Sequence, residues 1–240
     1  MVGVAQISFS GDQRDKSDIL ESIPILKTRS PANKDEAVKN MHLKRYDNGQ
    51  LLFQRGEIDQ NILFVIDGCI NLTLSSADGR EVIFRQVFSG DSVGLYASQG
   101  SSRFMTNGLA CMPTSIYSLS RRVVFPMIEQ DVPKLEILND MAEQIRESIW
   151  IFESLSICRL EARLARVILQ LAEKRGVARG EIVEIPFPFS QSHLAKLANG
   201  SRPKINFQLR KWMHQGIIAV DRAAITINNI EFLTLKADCG

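Results

Sequence analysis

The pattern of residues 190–215 constrains the fold of this chain most tightly, because it predicts two short helices joined by a tight turn. Asn199-Gly200 tolerates the left-handed backbone of such a turn, and Ser201 is expected to cap the next helix through its hydroxyl. Pro203 lies in the first turn of that helix, where a missing amide hydrogen costs little. The first helix carries an apolar face made of Leu194, Leu197 and Ala198. The second carries a stripe at helical spacing, made of Ile205, Leu209, Trp212 and Met213.

The face of the second helix opposite this stripe consists of Lys204, Phe207, Arg210 and Lys211. A short helix that buries one stripe and presents cations on the other side fits the major groove of DNA. The other interpretation is a charged helical hairpin that only faces solvent, because helix-turn-helix patterns also arise by chance.

The charge of the chain is unevenly distributed, although the net charge is only +2. Residues 1–158 hold 16 Lys and Arg against 20 Asp and Glu, a balance of −4, whereas residues 159–240 hold 13 against 7, a balance of +6. Cations therefore collect on the part of the chain that contains the two-helix pattern. Binding to a phosphate backbone depends on such a cluster of cations, because they displace condensed counterions.

The composition, 45% hydrophobic and 23% charged, is typical of a soluble globular protein. No apolar run approaches the ~20 residues that a membrane helix needs. The N-terminal residues lack the basic head and apolar core of a secretory signal. We therefore interpret residues 1–20 as a flexible polar arm and expect a cytoplasmic protein without a membrane partner.

The four cysteines and three histidines form no cluster with the spacing of metal ligands, so we expect no metal and no cofactor that the sequence makes evident. Buried thiols without a chemical role are the expected state of the cysteines in a reducing compartment. Cys158 is the exception, because it falls at a predicted domain junction. We interpret it as a candidate redox-sensitive residue.

Between Lys44 and Leu119 the pattern changes to short strand-like runs with regular turn residues between them. Many short, evenly spaced strands indicate an antiparallel barrel or jelly roll. The pair Asp78-Gly79, between LTLS and EVIF, predicts a hairpin with a two-residue loop. Before this region, two short helices are expected on either side of Ser30-Pro31.

Residues 132–157 carry apolar or small side chains at alternating spacings of three and four, namely Leu135, Leu138, Ala142, Ile145, Ile149, Phe152 and Ser156. This spacing is the seam of a coiled coil, and it predicts a helix that pairs with a second copy of itself in a homodimer. Packing of this helix against its own roll is the alternative.

After a short break, the sequence predicts a helix over Leu160–Lys174, an extended strand in EIVEIPFPFS, the two-helix pattern, and a two-stranded wing around 221–223. Together these parts form a winged helix-turn-helix. The expected fold is therefore α+β: an antiparallel roll of the jelly-roll kind, a long dimerisation helix and a C-terminal winged helix-turn-helix. The expected domains are a sensor roll at 21–131, the dimerisation helix at 132–157 and the winged domain at 158–240.

This order of parts resembles the Crp–Fnr family of bacterial transcription regulators over nearly the whole chain after the arm. Gly56-Glu57 before ILFVIDGCINL is similar to the family's paired strands, and FSGDSVG at 88–94 is similar to its LxxGDxFG motif. ARLARVILQLA at 162–172 and SQSHLAKLA at 190–198, with Ser201-Arg202, resemble its C-terminal helices. The resemblance implies a sequence-specific DNA-binding regulator that acts with RNA polymerase.

The resemblance places a candidate effector pocket at Gly94, Leu95, Ser101, Ser102 and Arg103. In family members that bind cyclic AMP, a glutamate follows the FG pair and an Arg-Ser or Arg-Thr pair holds the phosphate. Here Leu95 follows Gly94, and Phe104 follows Arg103. A buried cyclic phosphate without these partners would be poorly paired. A cyclic nucleotide therefore stays possible, but these departures argue against one, and Arg103 is expected to be an ordinary surface cation.

The recognition helix also departs from the family, which often has Glu and Arg where this chain has Pro203 and Phe207. Among the remaining groups, Arg202 suits a guanine edge, Asn206 suits adenine and Phe207 suits a thymine methyl. The alternative for Phe207 is a place in the core. Phosphate contacts, which position the duplex, are expected from Gln191, Ser192, Lys204, Arg210 and Lys211. Ser201 is also expected to belong to the DNA-binding surface.

The function predicted from these observations is a homodimeric regulator that binds a palindromic duplex operator and whose DNA affinity is modulated through the roll. The alternative is a ligand-sensing module that acts on a protein partner without specific DNA binding. An enzyme is not expected. A metal-dependent barrel needs a cluster of histidine and carboxylate ligands, and residues 44–119 contain no histidine.

Overall fold

The computed structural model describes residues 30–79, 81–94, 103–131, 134–186, 190–221 and 224–238. This part of the chain divides into two compact units. The first comprises residues 30–72 and 85–141, and the second comprises residues 73–84 and 142–238. The predicted N-terminal arm and the first of the two predicted short helices lie outside the described residues.

The first unit opens with helix α1 (Pro31–Asn40), which Ser30 caps by accepting a hydrogen bond from the Asn33 amide at 3.4 Å. The strands that follow are β1 (His42–Tyr46), β2 (Leu51–Phe53), β3 (Asn61–Asp67), β4 (Cys69–Ser75), β5 (Glu81–Phe88), β6 (Ser92–Val93), β7 (Asn107–Ala110) and β8 (Thr114–Ser120). They form two four-stranded sheets with the orders β1-β8-β3-β6 and β2-β7-β4-β5. The predicted antiparallel roll is confirmed.

Alternation along the strands builds two cores, because successive side chains of a strand point to opposite faces. Leu63, Val65 and Ile116 of the first sheet pack with Phe53 and Ile70 of the second, and this apolar layer fills the space between the sheets. The intervening residues of the first sheet point outward onto α1 and the helix after β8. That second core contains Ala37, Met41, Ile62, Phe64, Tyr117, Leu119 and Val124.

Two details of the first unit differ from the sequence prediction. Helix α2 (Arg121–Asp131) follows β8 directly, although this stretch, which contains Pro126, was predicted as part of the roll. The connection between β4 and β5 is longer than the expected two-residue loop, because β4 ends at Ser75 and β5 begins at Glu81, with residue 80 outside the described residues. Gly79 has a φ of +82°, and its amide closes a turn on the Ser76 carbonyl at 3.0 Å.

Helix α3 (Lys134–Ile157) begins in the first unit and ends in the second, which also contains the winged domain. The other elements of the second unit are α4 (Leu160–Arg175), β9 (Val177–Arg179), β10 (Ile182–Pro186), α5 (Gln191–Leu197), α6 (Arg202–His214), β11 (Ile218–Val220), β12 (Ala224–Ile227) and α7 (Ile230–Ala237). The predicted two helices and wing are confirmed. The wing belongs to a four-stranded sheet of order β11-β12-β10-β9, and neither β9 nor α7 was predicted.

Helix α3 packs one side on α4 and leaves its predicted seam open. Arg166 of α4 lies over the Trp150 ring at 5.3 Å and contacts the Glu153 carboxylate at 3.2 Å. On the seam, Ile145 is 58% exposed, Ile149 61% and Phe152 72%. The side chains of Leu135 and Leu138 lie outside the described residues. In the described part of the chain, no helix has the length and apolarity needed to cross a membrane.

Candidate nucleic-acid interface

The turn between α5 and α6 has the backbone that its sequence predicts. Asn199 has a φ of +47°, in the left-handed region that asparagine tolerates. A Cβ on Gly200 would lie 2.6 Å from Leu160 Cδ1, so a larger residue in this turn would require the Leu160 side chain of α4 to shift. Ser201 occupies the N-cap position of α6, but its hydroxyl makes no capping hydrogen bond, contrary to the prediction. The hydroxyl that caps is that of Ser190, which accepts from the His193 amide at 3.3 Å.

One guanidinium holds the end of α5, and the sequence alone did not assign it this role. Arg163 of α4 donates to the carbonyls of Ala198 at 2.9 Å, Asn199 at 3.1 Å and Cys158 at 2.9 Å. The last carbonyls of a helix have no partners within that helix, so a cation that donates to them fixes the helix end. Its signal in the sequence was an arginine between the apolar residues Ala162 and Leu164 of an amphipathic helix.

Helix α6 buries the predicted stripe, with one exception. Ile205, Leu209 and Trp212 are each at most 2% exposed, whereas Met213 is 42% exposed and lies outside the core. Gln208 takes a buried place on the same side and donates to the Glu161 carboxylate at 3.2 Å. The helix is therefore fixed to its domain along one face only.

The opposite face of α6 is open. Its exposed side chains are those of Arg202, Lys204, Phe207, Arg210 and Lys211. Phe207 is 72% exposed, which excludes the alternative in which it belongs to the core. Lys211 also lies 3.8 Å from the Glu161 carboxylate, so its ammonium is already paired on one side.

Helix α5 contributes a second row of polar groups beside this face. The Gln191 amide donates to Asn206 Oδ1 at 3.4 Å, which joins the first turn of α5 to the second turn of α6. Ser192 is exposed next to it. Burial, and secondarily the charge of Lys196, lowers the pKa of His193 from 6.5 to about 4. His193 is therefore neutral at pH 7 and adds no charge here.

The structure describes two of the five members of the candidate effector pocket, Gly94 and Arg103. Gly94 has a φ of +91°, and Leu95, Ser101 and Ser102 lie outside the described residues. The exposed Arg103 directs its guanidinium to the Gly56 carbonyl at 2.6 Å. The next ring, Phe104, stacks on Phe53 with centroids 3.8 Å apart and packs against the core between the sheets.

A buried ion pair near Gly94 is absent from the sequence prediction. Asp59 is 5% exposed and pairs with Arg121, and a Cβ on Gly94 would lie 3.0 Å from the Asp59 carboxylate. Desolvation raises the pKa of Asp59, and the hydrogen bond and charge of Arg121 oppose that rise. The sequence shows two isolated charges 62 residues apart, with no signal that they meet.

Cys158, the candidate redox residue, lies between α3 and α4. It is 5% exposed and disulfide-bonded, and its carbonyl is one of the three acceptors of Arg163. This differs from the buried thiol that was expected of the cysteines in general. Among the described residues, no group of three or more His, Cys, Asp or Glu side chains could hold a metal ion.

Comparison with known proteins decides the family. Residues 162–235 match the sequence model of the Crp-like helix-turn-helix domain, and residues 43–131 match that of the cyclic nucleotide-binding domain. The chain belongs to the Crp–Fnr family. It is a DNA-binding transcription regulator, and the exposed face of α6 lies within the region that matches the helix-turn-helix domain.

Two curated relatives and a solved structure match this Crp–Fnr regulator over most of their own length. The CRP-like cAMP-activated global transcriptional regulator of Mycobacterium tuberculosis is 22% identical over 222 residues, which cover 92% of this chain and 99% of the relative. The cAMP-activated global transcriptional regulator Vfr of Pseudomonas aeruginosa is 22% identical over 191 residues, covering 78% and 89%. The structure of FixK2 from Bradyrhizobium japonicum superposes with a TM-score of 0.74 at 18% identity, covering 83% of this chain and 98% of FixK2.

Proposed function

We propose that this Crp–Fnr regulator is a cytoplasmic homodimer that binds a palindromic duplex operator. The observation that carries the proposal is the open seam of α3, with Ile145, Ile149 and Phe152 all more than half exposed in the single chain. Burying such a side chain is worth about 1.5–3 kcal/mol. A second copy of α3 carries the same seam, so a two-fold axis along it would cover both.

Two copies of α6 related by this axis would enter successive major grooves, about one helical turn apart. We assign base contacts to Arg202, Asn206 and Phe207, because these side chains offer a fork of donors, an amide and an apolar ring. We assign phosphate contacts to Gln191, Ser192, Ser201, Lys204, Arg210 and Lys211, which position the duplex without specifying its sequence. Contact with RNA polymerase is the further partner that the family implies.

We propose that a ligand of the roll modulates DNA affinity, and that this ligand is not a cyclic nucleotide with its phosphate at Arg103. Two relatives are named cAMP-activated regulators. In this chain the Arg103 guanidinium already donates to the Gly56 carbonyl, and Phe104 puts an apolar ring where cyclic-AMP-binding relatives have a hydroxyl. Such a ligand can change DNA affinity only if it binds the DNA-binding conformation and the inactive conformation of the regulator with different affinities.

The experiment is selection of bound sequences from random duplex DNA with the purified protein. Three parallel selections would contain no addition, cyclic AMP, or a small-molecule extract. We expect an imperfect palindrome with half-sites about one helical turn apart. Enrichment that cyclic AMP leaves unchanged and the extract alters would support the effector proposal.

The Arg202→Ala variant is the control for selection by the recognition helix, and Arg179→Ala removes an equal charge from the exposed strand β9. A monomer with no preference among sequences would overturn the proposal and favour the alternative, a module that acts on a protein partner. Strong enrichment that requires cyclic AMP would support operator binding but contradict the proposal that no cyclic nucleotide binds with its phosphate at Arg103.

A further inference from the structure

Cys69 and Cys111 meet in the second sheet of the roll, although 42 positions separate them in the sequence. Both are thiols. The Cys111 amide donates to the Cys69 carbonyl at 3.0 Å, and the Cys111 sulfur lies 3.4 Å from the same oxygen. A single backbone hydrogen bond of this length keeps the two Cα atoms within about 7 Å, which is the upper limit for a disulfide.

A third residue reaches both sulfurs. The Gln86 amide nitrogen lies 3.6 Å from Cys69 Sγ and 4.0 Å from Cys111 Sγ, and it donates to Asn71 Oδ1 at 3.0 Å. Gln86 and Asn71 are each 8% exposed, so this amide is held in the interior. Two sulfurs within reach of one nitrogen atom lie on the same side of the sheet.

The backbone around Cys69 is fixed by close packing. Gly68 has a φ of +91°, and a Cβ there would lie 2.5 Å from the Pro113 carbonyl oxygen. The Cys69 amide donates to Thr114 Oγ1 at 3.1 Å. The start of β4 is therefore locked against the segment that carries Cys111, and this keeps the pair together without a covalent bond.

We propose that Cys69 and Cys111 form a reversible thiol–disulfide site that takes a small disulfide oxidant such as oxidised glutathione. Cys69 is fully buried, whereas Cys111 is partly exposed. An oxidant from solvent therefore reaches Cys111 first, and Cys69 is the resolving thiol. The site is independent of Cys158, which is already disulfide-bonded.

The chemistry is two successive exchanges. The Cys111 thiolate attacks oxidised glutathione, forms a mixed disulfide and releases one glutathione thiolate. The Cys69 thiolate then attacks the Cys111 sulfur, forms the Cys69–Cys111 disulfide and releases the second glutathione thiolate. The two protein thiols lose two electrons and two protons, and the oxidant is reduced to two glutathione molecules. The new bond ties the start of β4 to the segment after β7.

The test uses the full-length protein, incubated with oxidised glutathione, alkylated under denaturing conditions at low pH and digested with trypsin without reduction. Cys69 lies in the tryptic peptide 56–80 and Cys111 in the peptide 104–121, and each peptide contains one cysteine. We expect mass spectrometry to show these two peptides cross-linked in most molecules. The cross-link should disappear after dithiothreitol treatment. Before oxidation, Cys111 should be alkylated faster than Cys69 in the native protein.

Cys111→Ser is the matched variant, because it keeps the shape of the side chain and removes only the exposed thiol. It should abolish the cross-link and leave Cys69 alkylatable after unfolding. The measurement on the unmodified protein is decisive even if a variant folds poorly. Persistent glutathione on Cys111 without a cross-link, two alkylatable thiols after oxidation, or a cross-link to any other peptide would each overturn the proposal.

Discussion

At the scale of single residues, Arg202 and Lys204 both belong to the first turn of α6 and are both exposed, yet we assign them different roles. A guanidinium offers a planar fork that matches the O6 and N7 atoms of guanine, whereas an ammonium is a point charge that suits phosphate. The roles of the two cations can be distinguished by whether the affinity lost on removing each one depends on the DNA sequence.

We expect Arg202→Ala to weaken operator binding by about 1–3 kcal/mol and to relax the preference at one position in each half-site. Lys204→Ala should weaken binding equally on all sequences and reduce the salt dependence of the binding constant by about one charge. Fluorescence anisotropy with operators mutated one base pair at a time measures both effects. An equal loss on every duplex would make Arg202 a backbone contact.

At the scale of elements, the open seam of α3 gives the clearest prediction. Ile149 is 61% exposed and lies at the centre of the described part of the seam. We expect Ile149→Glu to turn the dimer into a monomer, because an unpaired charge in a buried contact costs about 3–5 kcal/mol. Sedimentation velocity across a range of concentrations measures the change.

Ile149→Leu is the matched control and should still associate, since it keeps an apolar side chain of equal volume. Operator binding should be lost in parallel with association in Ile149→Glu, while the thermal unfolding of the monomer stays nearly unchanged. A dimer that tolerates the glutamate would show that the partner covers another face of the molecule.

The sequence predicts those elements whose own residues carry a periodic pattern. The strands of the roll alternate, as Ile62 and Phe64 against Leu63 and Val65 do, and α6 repeats Ile205, Leu209 and Trp212 at helical spacing. Helix α2 was missed because Pro126 lies inside it, and proline is unfavourable within a helix. Its formation depends on a contact with α1 and β3, to which Val124 contributes, and this contact is not local in sequence.

The residues of the candidate site show the same difference between what a local pattern predicts and what depends on distant contacts. The exposed side chains of α6 were predictable because they follow from the periodicity of one helix, whereas Arg163, Asp59 and the meeting of Cys69 with Cys111 depend on partners distant in sequence. Helix α7 is similar. It is short, Asn229 caps it by accepting from the Phe232 amide at 2.8 Å, and it packs on α4. None of these contacts produces a recognisable pattern within a short stretch of the sequence.

At the scale of the whole molecule, the junction between α3 and α4 connects the exposed seam of α3 to the DNA-binding domain along the chain. Cys158 is the buried, disulfide-bonded residue of this junction. Reduction or oxidation there changes the covalent constraint on the backbone next to α4. We therefore expect the operator affinity of the unmodified protein to differ between reducing and oxidising buffers.

Cys158→Ser should remove this difference, and Cys111→Ser should retain it, because the second variant leaves Cys158 untouched. Operator titrations in dithiothreitol and in peroxide measure both variants. If Cys158→Ser stays as sensitive to peroxide as the unmodified protein, this role of Cys158 is wrong, while the cross-link between Cys69 and Cys111 is still tested by its own peptides.

The triple contact of Arg163 has a mechanical consequence. Its guanidinium is hydrogen-bonded at once to the backbone that precedes α4 and to the backbone that precedes α6. A small rotation of the chain at Cys158 therefore pulls on the turn at Ala198 and Asn199 without passing through side chains of the core. Arg163 therefore couples the recognition helix mechanically to the connector between α3 and α4, so a displacement of one is transmitted to the other.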